Sequence, residues 1–287
     1  MEEYLNNFQQ LYDYDSELMT TLSKIIPAIC QYYGQNNEES VLAAIASCPI
    51  HIEKKGESAS HFLSEYFPFK ENGVVPKVAT GFYDSAPVVE HDEVKSKKIL
   101  YIRKGENDLQ SESCLSTMVH ELVHVVKSYK DEYFYQDGVL YKRSGISVTK
   151  MEYNELGQVK EGKGSGDGLE EAVTCFDEDN IMSMILGREY TANSYFGLAK
   201  LAGLLSQKTD LLSIIYKEQL YNTGQLQEFL GKENFNELID NSDQFYSLTF
   251  AMPDDVVEKY KEYAQNIKNF INKYQSRKKE SDIKLEI

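Results

Sequence analysis

The chain has 287 residues, 41% hydrophobic and 26% charged, which is the composition of a globular protein long enough to bury a sizeable core. Its 30 Lys and Arg against 46 Asp and Glu give a formal net charge of −16, which repels phosphate backbones and excludes a sequence-independent nucleic-acid binder. No apolar run approaches the roughly eighteen residues of a membrane span. The acidic start Met1-Glu2-Glu3-Tyr4-Leu5 has no signal-peptide pattern, so the expectation is a cytoplasmic protein, or one secreted without a recognisable signal.

Residues 1–48 read as helical. Leu18, Leu22, Ile25, Ile26 and Ile29 keep helical spacing, Pro27 is expected to kink that helix and Gly34 to end it. Asn37 is placed to cap a second helix carrying Val41, Leu42, Ile45 and Cys48. From 50 to 104 the pattern turns β-like: Val74-Val75, Val78 to Tyr83, and Lys98 to Arg103 are short runs punctuated by Gly73, Pro76, Gly81 and Pro87. The apolar run Ile99-Leu100-Tyr101-Ile102 suits a strand buried on both faces.

A helix over about 111–129 follows, with Leu115, Met118, Val119, Leu122, Val123 and Val126 as its apolar stripe and Ser111 or Ser113 as its cap. Residues 133–158 read as a polar hairpin region with Arg143-Ser144-Gly145 at its tip, and a loop with five glycines between Gly157 and Gly168 leads into a helix over 168–186. Residues 193–276 are helical again, with one face of Ala199, Leu201, Leu204 and Leu205 and another of Leu226, Phe229 and Leu230; the charged tail from Gln275 is expected to fray. The class is α+β. The expected organisation is one domain over 1–287, made of a helical subdomain (1–48), a sheet with the central helix (50–130) and a helical half (131–287).

Cys30, Cys48, Cys114 and Cys175 form no CxxC pair and no zinc-ribbon or disulfide spacing, so buried free thiols are expected. His51, His61 and His91 read as ordinary polar histidines, and Asp177-Glu178-Asp179-Asn180, lacking the spacing and glycine of a calcium loop, as a solvated helix face.

The chemistry concentrates in the central helix, at His120-Glu121-Leu122-Val123-His124. Residues four apart stack on one helix face, so both imidazoles can reach one ion. Glu121, about 100° further round, can hold a metal-bound water without becoming a ligand. Two imidazoles and a third protein ligand leave a tetrahedral zinc one open position, as catalysis requires. Two of only five histidines are spent on this motif.

HExxH on such a helix, after a small sheet and before a helical half, resembles the zincin metallopeptidases. Lys127 and Lys130 stand where metzincins carry a glycine and a third histidine, which excludes that subgroup. The gluzincin (thermolysin-like) branch takes a glutamate from a downstream helix, often within Glu-(Gly or Ala)-x-Thr, and Leu169-Glu170-Glu171-Ala172-Val173-Thr174 is similar to it. Two glutamates compete. Asp167 as N-cap and Glu170 three residues on would form a capping box, which leaves Glu171 as third ligand, with small Ala172 letting the helices approach. Thermolysin has an aspartate four residues after the third ligand; here Cys175 stands there, so another group, Asp177 among the candidates, must orient a zinc histidine.

The resemblance covers roughly residues 76–206. It implies a zincin-like fold with a small mixed sheet on the HExxH helix, one zinc per chain held by His120, His124 and Glu171, Glu121 as general base, and a peptide or protein substrate. It also implies an inner strand, Ile99–Arg103, beside an edge strand, Gly81–Asp84, that pairs with substrate, and a tyrosine at the oxyanion, for which Tyr153, Tyr190 and Tyr195 are candidates. The alternative from another class is a catalytically silent zincin scaffold acting as a binding or effector protein; the intact Glu121 argues against it. A helical interaction module with a chance motif would make Glu171 a second coincidence.

Overall fold

The computed structural model describes residues 4, 12, 14–71, 80–91, 93–103, 105, 107–128, 132–192, 202–203, 209–221, 224–251 and 255–285. It is mixed α+β with about 57% helix and small sheets. Among the described residues no helix is long and apolar enough to cross a membrane. Two compact units divide the chain: Met1–Ser144 with Thr149–Lys163 and Asp177–Ala192, and Gly145–Val148 with Gly164–Phe176 and Asn193–Ile287.

The first unit is organised around the central helix. Helix α1 (Ser16–Tyr33) starts at Asp15, whose carboxylate accepts from Leu18 N–H at 2.8 Å, and continues through Pro27 to Gly34. Helix α2 (Glu38–Ala46) follows; Asn37 makes no side-chain cap and instead donates from Nδ2 to Tyr33 O at 2.7 Å, so the preceding turn takes the amide intended for the cap. Strand β1 (Ile50–Ile52) and helix α3 (Ala59–Tyr66) come next, both too short for a periodic signal. The hairpin β2 (Gly81–Glu90) and β3 (Glu93–Ile102) then pairs Tyr83 with Leu100, and β1 lies parallel to β3 on its other side.

The sheet order β1-β3-β2 makes β3 the inner strand and β2 an edge, as expected. Val74, Val75 and Val78 lie outside the described residues, and β2 runs on past Pro87. Proline is tolerated there because ladder bonding alternates: Arg103 N–H bonds Thr80 O, so even positions of β2 face β3 while odd ones, Pro87 included, face outward.

Helix α4 (Glu112–Lys127) is capped by Ser111, whose Oγ accepts from Cys114 N–H. It packs against α1, α2, β2 and β3. The expected stripe is buried, and so are Val125 and Lys127, so the helix is enclosed almost all round. Strands β4 (Tyr133–Gln136), β5 (Val139–Ser144), β6 (Ser147–Tyr153) and β7 (Val159–Ser165) form a second sheet in that order. The glycine-rich stretch expected as a loop is therefore strand β7 for much of its length. Arg143 lies within β5 and is buried; the tight turn is made at Gly145, with φ +58°.

Helix α5 (Asp167–Leu186) is unbroken and contributes its first half to the second unit and its second half to the first. The second unit also contains α6 (Thr209–Tyr221), α7 (Gln225–Leu230), α8 (Lys232–Ala251) and α9 (Val256–Leu285). Their core joins Leu169, Ala172 and Val173 to Leu211, Ile215, Leu238, Phe245 and Phe270. Ala172 thus serves this core. The face Ala199, Leu201, Leu204 and Leu205 lies outside the described residues; Leu226 and Leu230 are buried as expected, whereas Phe229 is exposed. The tail expected to fray continues α9 to Leu285.

The start of α5 corrects the capping-box expectation. Asp167 is already helical, and the N–H groups of Gly166 and Gly168 are accepted by Asp243 of α8 at 2.9 and 2.8 Å. At Gly168 a Cβ would come within 2.0 Å of Ser242 O, so α8 approaches too closely for any side chain. Glu170 is drawn inward instead: its Oε2 accepts from Ile146 N–H at 2.8 Å and from Gln219 Nε2 at 3.0 Å. Thr174 donates to the carbonyl of Glu170 at 2.9 Å, so the Thr of the signature braces this residue.

Candidate metal centre

Helix α4 brings the two motif histidines together. Their Nε2 atoms face each other at 3.3 Å with the rings steeply inclined, at 72°. Two imidazole nitrogens, each about 2.05 Å from one ion and at a tetrahedral angle, lie about 3.3 Å apart. The pair therefore has the spacing of a zinc site.

His120 is held from behind. Its Nδ1 lies 2.9 Å from Glu178 Oε2, and Glu178 Oε1 accepts from Ser116 Oγ one turn earlier on α4. Engaging Nδ1 in this way fixes the ring and leaves Nε2 facing His124. Glu178, not Asp177, is thus the residue that orients a motif histidine.

Asp177 lies instead beneath the end of α4. There it pairs with Lys127 at 3.0 Å and accepts from Tyr32 and Tyr33 at 2.8 and 2.9 Å, with both charged side chains fully buried. The run expected as a solvated face is therefore half interior: Asp177 and Glu178 are buried because α4 and α1 supply a lysine, a serine, a histidine and two tyrosines for them.

Glu121 is half-buried, and one carboxylate oxygen, Oε2, accepts from Tyr83 N–H of β2 at 2.7 Å. Tyr83 occupies an outward position, so its amide points away from β3 and toward α4. The free edge of the sheet and the motif glutamate are thereby joined. Further along, Ser85 N–H is met by Asp84 at 2.8 Å and Ser85 O by Lys70 at 3.1 Å. Behind this edge Glu132 is buried, paired with Lys98 at 3.3 Å and accepting from Tyr83 OH at 2.7 Å and from Ser85 and Ser96. Burial and the Glu132 charge push the Tyr83 phenol well above its ordinary value.

On α5, Glu171, Cys175 and Glu178 fall at i, i+4 and i+7, a single stripe of the helix. Glu171 and Cys175 thus stand one turn apart on the same face of the helix. Glu171 Oε2 is buried. Glu170, the competitor, is committed to Ile146 and Gln219. All four cysteines are buried and outside any disulfide, as expected.

Of the three tyrosines considered for the oxyanion, Tyr153 is 60% exposed on β6 and Tyr195 lies outside the described residues. Tyr190 shares a hydrogen bond with Ser116, which places it on the Nδ1 side of His120, behind the site. His51 stacks on Phe62 at 4.0 Å and pairs with Glu57 at 2.8 Å, His61 pairs with Glu65, and His91 sits in the β2–β3 turn; none belongs to the centre.

Asp179, the residue after Glu178, accepts from Ala192 N–H at 2.7 Å. Partial burial, with the Glu178 charge adding to it, raises its pKa to about 6 against the lowering effect of that bond. A carboxyl with a raised folded-state pKa holds its proton where the unfolded chain has lost it, so its contribution falls as pH rises from about 4 to about 6. Asp179→Asn, which keeps the acceptor, should therefore gain about 1 kcal/mol on the wild type between pH 4 and pH 7, after allowance for its exposure to water. Urea unfolding at both pH values measures this; a pH-independent difference contradicts it.

The chain matches no family model, no curated protein and no solved structure.

Proposed function

We propose that the chain is a zinc-dependent metallopeptidase of gluzincin type with a zincin-like fold, in which His120, His124 and Glu171 hold one zinc and Glu121 is the general base. The observation that carries the reading is the 3.3 Å approach of the two Nε2 atoms, with His120 Nδ1 held by Glu178. Two nitrogens and a carboxylate make a donor set that suits zinc. A bound zinc would supply Lewis acidity, acidifying its water and polarising the substrate carbonyl.

The rest is done by the chain's own groups. Glu121 accepts the proton of the attacking water and delivers it to the leaving amine nitrogen. Tyr83 N–H orients the carboxylate for both transfers. Glu178 keeps His120 in the tautomer that carries its proton on Nδ1 and presents Nε2 to the metal. An extended peptide would pair with the β2 edge beside Glu121 through outward main-chain groups other than Tyr83 N–H and those of Ser85, which this chain's own side chains engage.

The test is digestion of a diverse peptide library. Cleavage that a zinc chelator abolishes and added zinc restores is the expected result. Absence of any cut peptide from zinc-loaded protein would overturn the peptidase reading in favour of a silent binding scaffold.

A further inference from the structure

We propose that Lys70 is a specificity-determining residue: it closes the β2 edge at Ser85, so that a peptide reaches Glu121 only by its amino end and is trimmed from that end. This deepens the peptidase reading above and rests on it. All the groups involved belong to the first unit.

A peptide that adds itself to a sheet edge needs the outward N–H and C=O groups of alternate residues, and a lane about 4.8 Å to the side of the strand. On β2 those residues are Gly81, Tyr83, Ser85 and Pro87. Tyr83 N–H is given to Glu121 at 2.7 Å, Ser85 N–H to Asp84 at 2.8 Å, and Pro87 has no N–H. Three successive outward donors are therefore withheld. Ser85 O is taken as well, since Lys70 Nζ donates to it at 3.1 Å. An ammonium that close to an outward carbonyl stands inside the lane. It is also held there: the Lys70 main chain is bridged to Val159 of β7, its side chain is buried, and its ammonium is paired with Asp84 and, at 3.5 Å, with Glu161. Among the described residues, this leaves Gly81 and the Tyr83 carbonyl for pairing beside Glu121.

Glu121 fixes the level of the reacting bond, because its carboxylate meets the edge at Tyr83. Ser85 lies two residues further along the strand, about 7 Å, which is room for roughly one or two peptide residues. Antiparallel pairing is the more stable direction, and in it the peptide runs from Ser85 toward Gly81, with its amino end against Lys70. Hydrolysis then breaks one C–N bond. The carbonyl carbon of the short released piece takes the water hydroxyl, and the nitrogen of the remaining peptide takes the proton from Glu121.

The experiment digests long linear peptides and their head-to-tail cyclised counterparts with the zinc-loaded full-length protein and identifies the products by mass spectrometry. The wild type should release single residues and dipeptides from the amino end and leave the cyclic peptides whole. Lys70→Ala opens the lane, so it should cut internal bonds, the cyclic peptides included, and raise the ratio of internal to terminal cleavage at least about tenfold. Internal cuts by the wild type, or release from the carboxyl end, would overturn the proposal and leave the peptidase reading standing. A folded Lys70→Ala that still only trims amino ends would overturn it equally. No cleavage of any peptide by the wild type would overturn both. Should Lys70→Ala strand Asp84 and fail to fold, its combination with Asp84→Asn, which keeps an acceptor for Ser85 N–H and removes both charges together, takes its place.

Discussion

Glu121→Gln should lower peptide hydrolysis by a factor of about 10²–10⁴ while the zinc content stays at the wild-type value. The substitution is nearly isosteric, and its carboxamide oxygen can still accept from Tyr83 N–H, so the β2 edge keeps its place on α4. What it removes is the capacity to take a proton from water and return it to the departing amine. A fall in turnover with little change in KM is the signature of a group that acts in the transition state. Undiminished turnover in this variant would show that another residue moves the proton.

The second large effect separates two adjacent glutamates. Had Glu170 closed a capping box, its loss would cost about 0.5–1 kcal/mol. In the folded chain it is buried and serves as acceptor for Ile146 N–H and Gln219 Nε2. Removing a buried acceptor strands its donors at about 1–3 kcal/mol each, so Glu170→Ala should cost about 3 kcal/mol. The tight turn at Gly145 depends on the same carboxylate, which lies where a Cβ at that position would fall. Glu171→Ala acts differently. It deletes a proposed metal ligand, so metal affinity and activity should collapse together.

The α4 motif was legible because everything it needs is local: HExxH spacing, an apolar stripe and a serine cap all lie within one helix. The inner and edge strands were legible for a similar reason, since a continuous apolar run such as Ile99–Ile102 belongs in the middle of a sheet. What escaped depends on partners far along the chain. Glu178 reaches a histidine 58 residues away, and in sequence it sits in an acidic run that reads as solvated. Lys127 and Lys98 look like surface charges until Asp177 and Glu132 are seen buried against them. The capping box failed although its spacing was right, because the β5–β6 turn competes for Glu170 and Asp243 supplies the cap from another helix. Strand β7 was hidden by its glycines, which mark loops in sequence and are tolerated in a strand whose neighbours supply the pairing.

The zinc content of the folded wild type, Glu170→Ala and Glu171→Ala, measured side by side by elemental analysis, tests the assignment of the metal centre most directly. The account predicts about one zinc per chain in the wild type and in Glu170→Ala, and almost none in Glu171→Ala. Retention of zinc in Glu171→Ala, with or without its loss in Glu170→Ala, would contradict it.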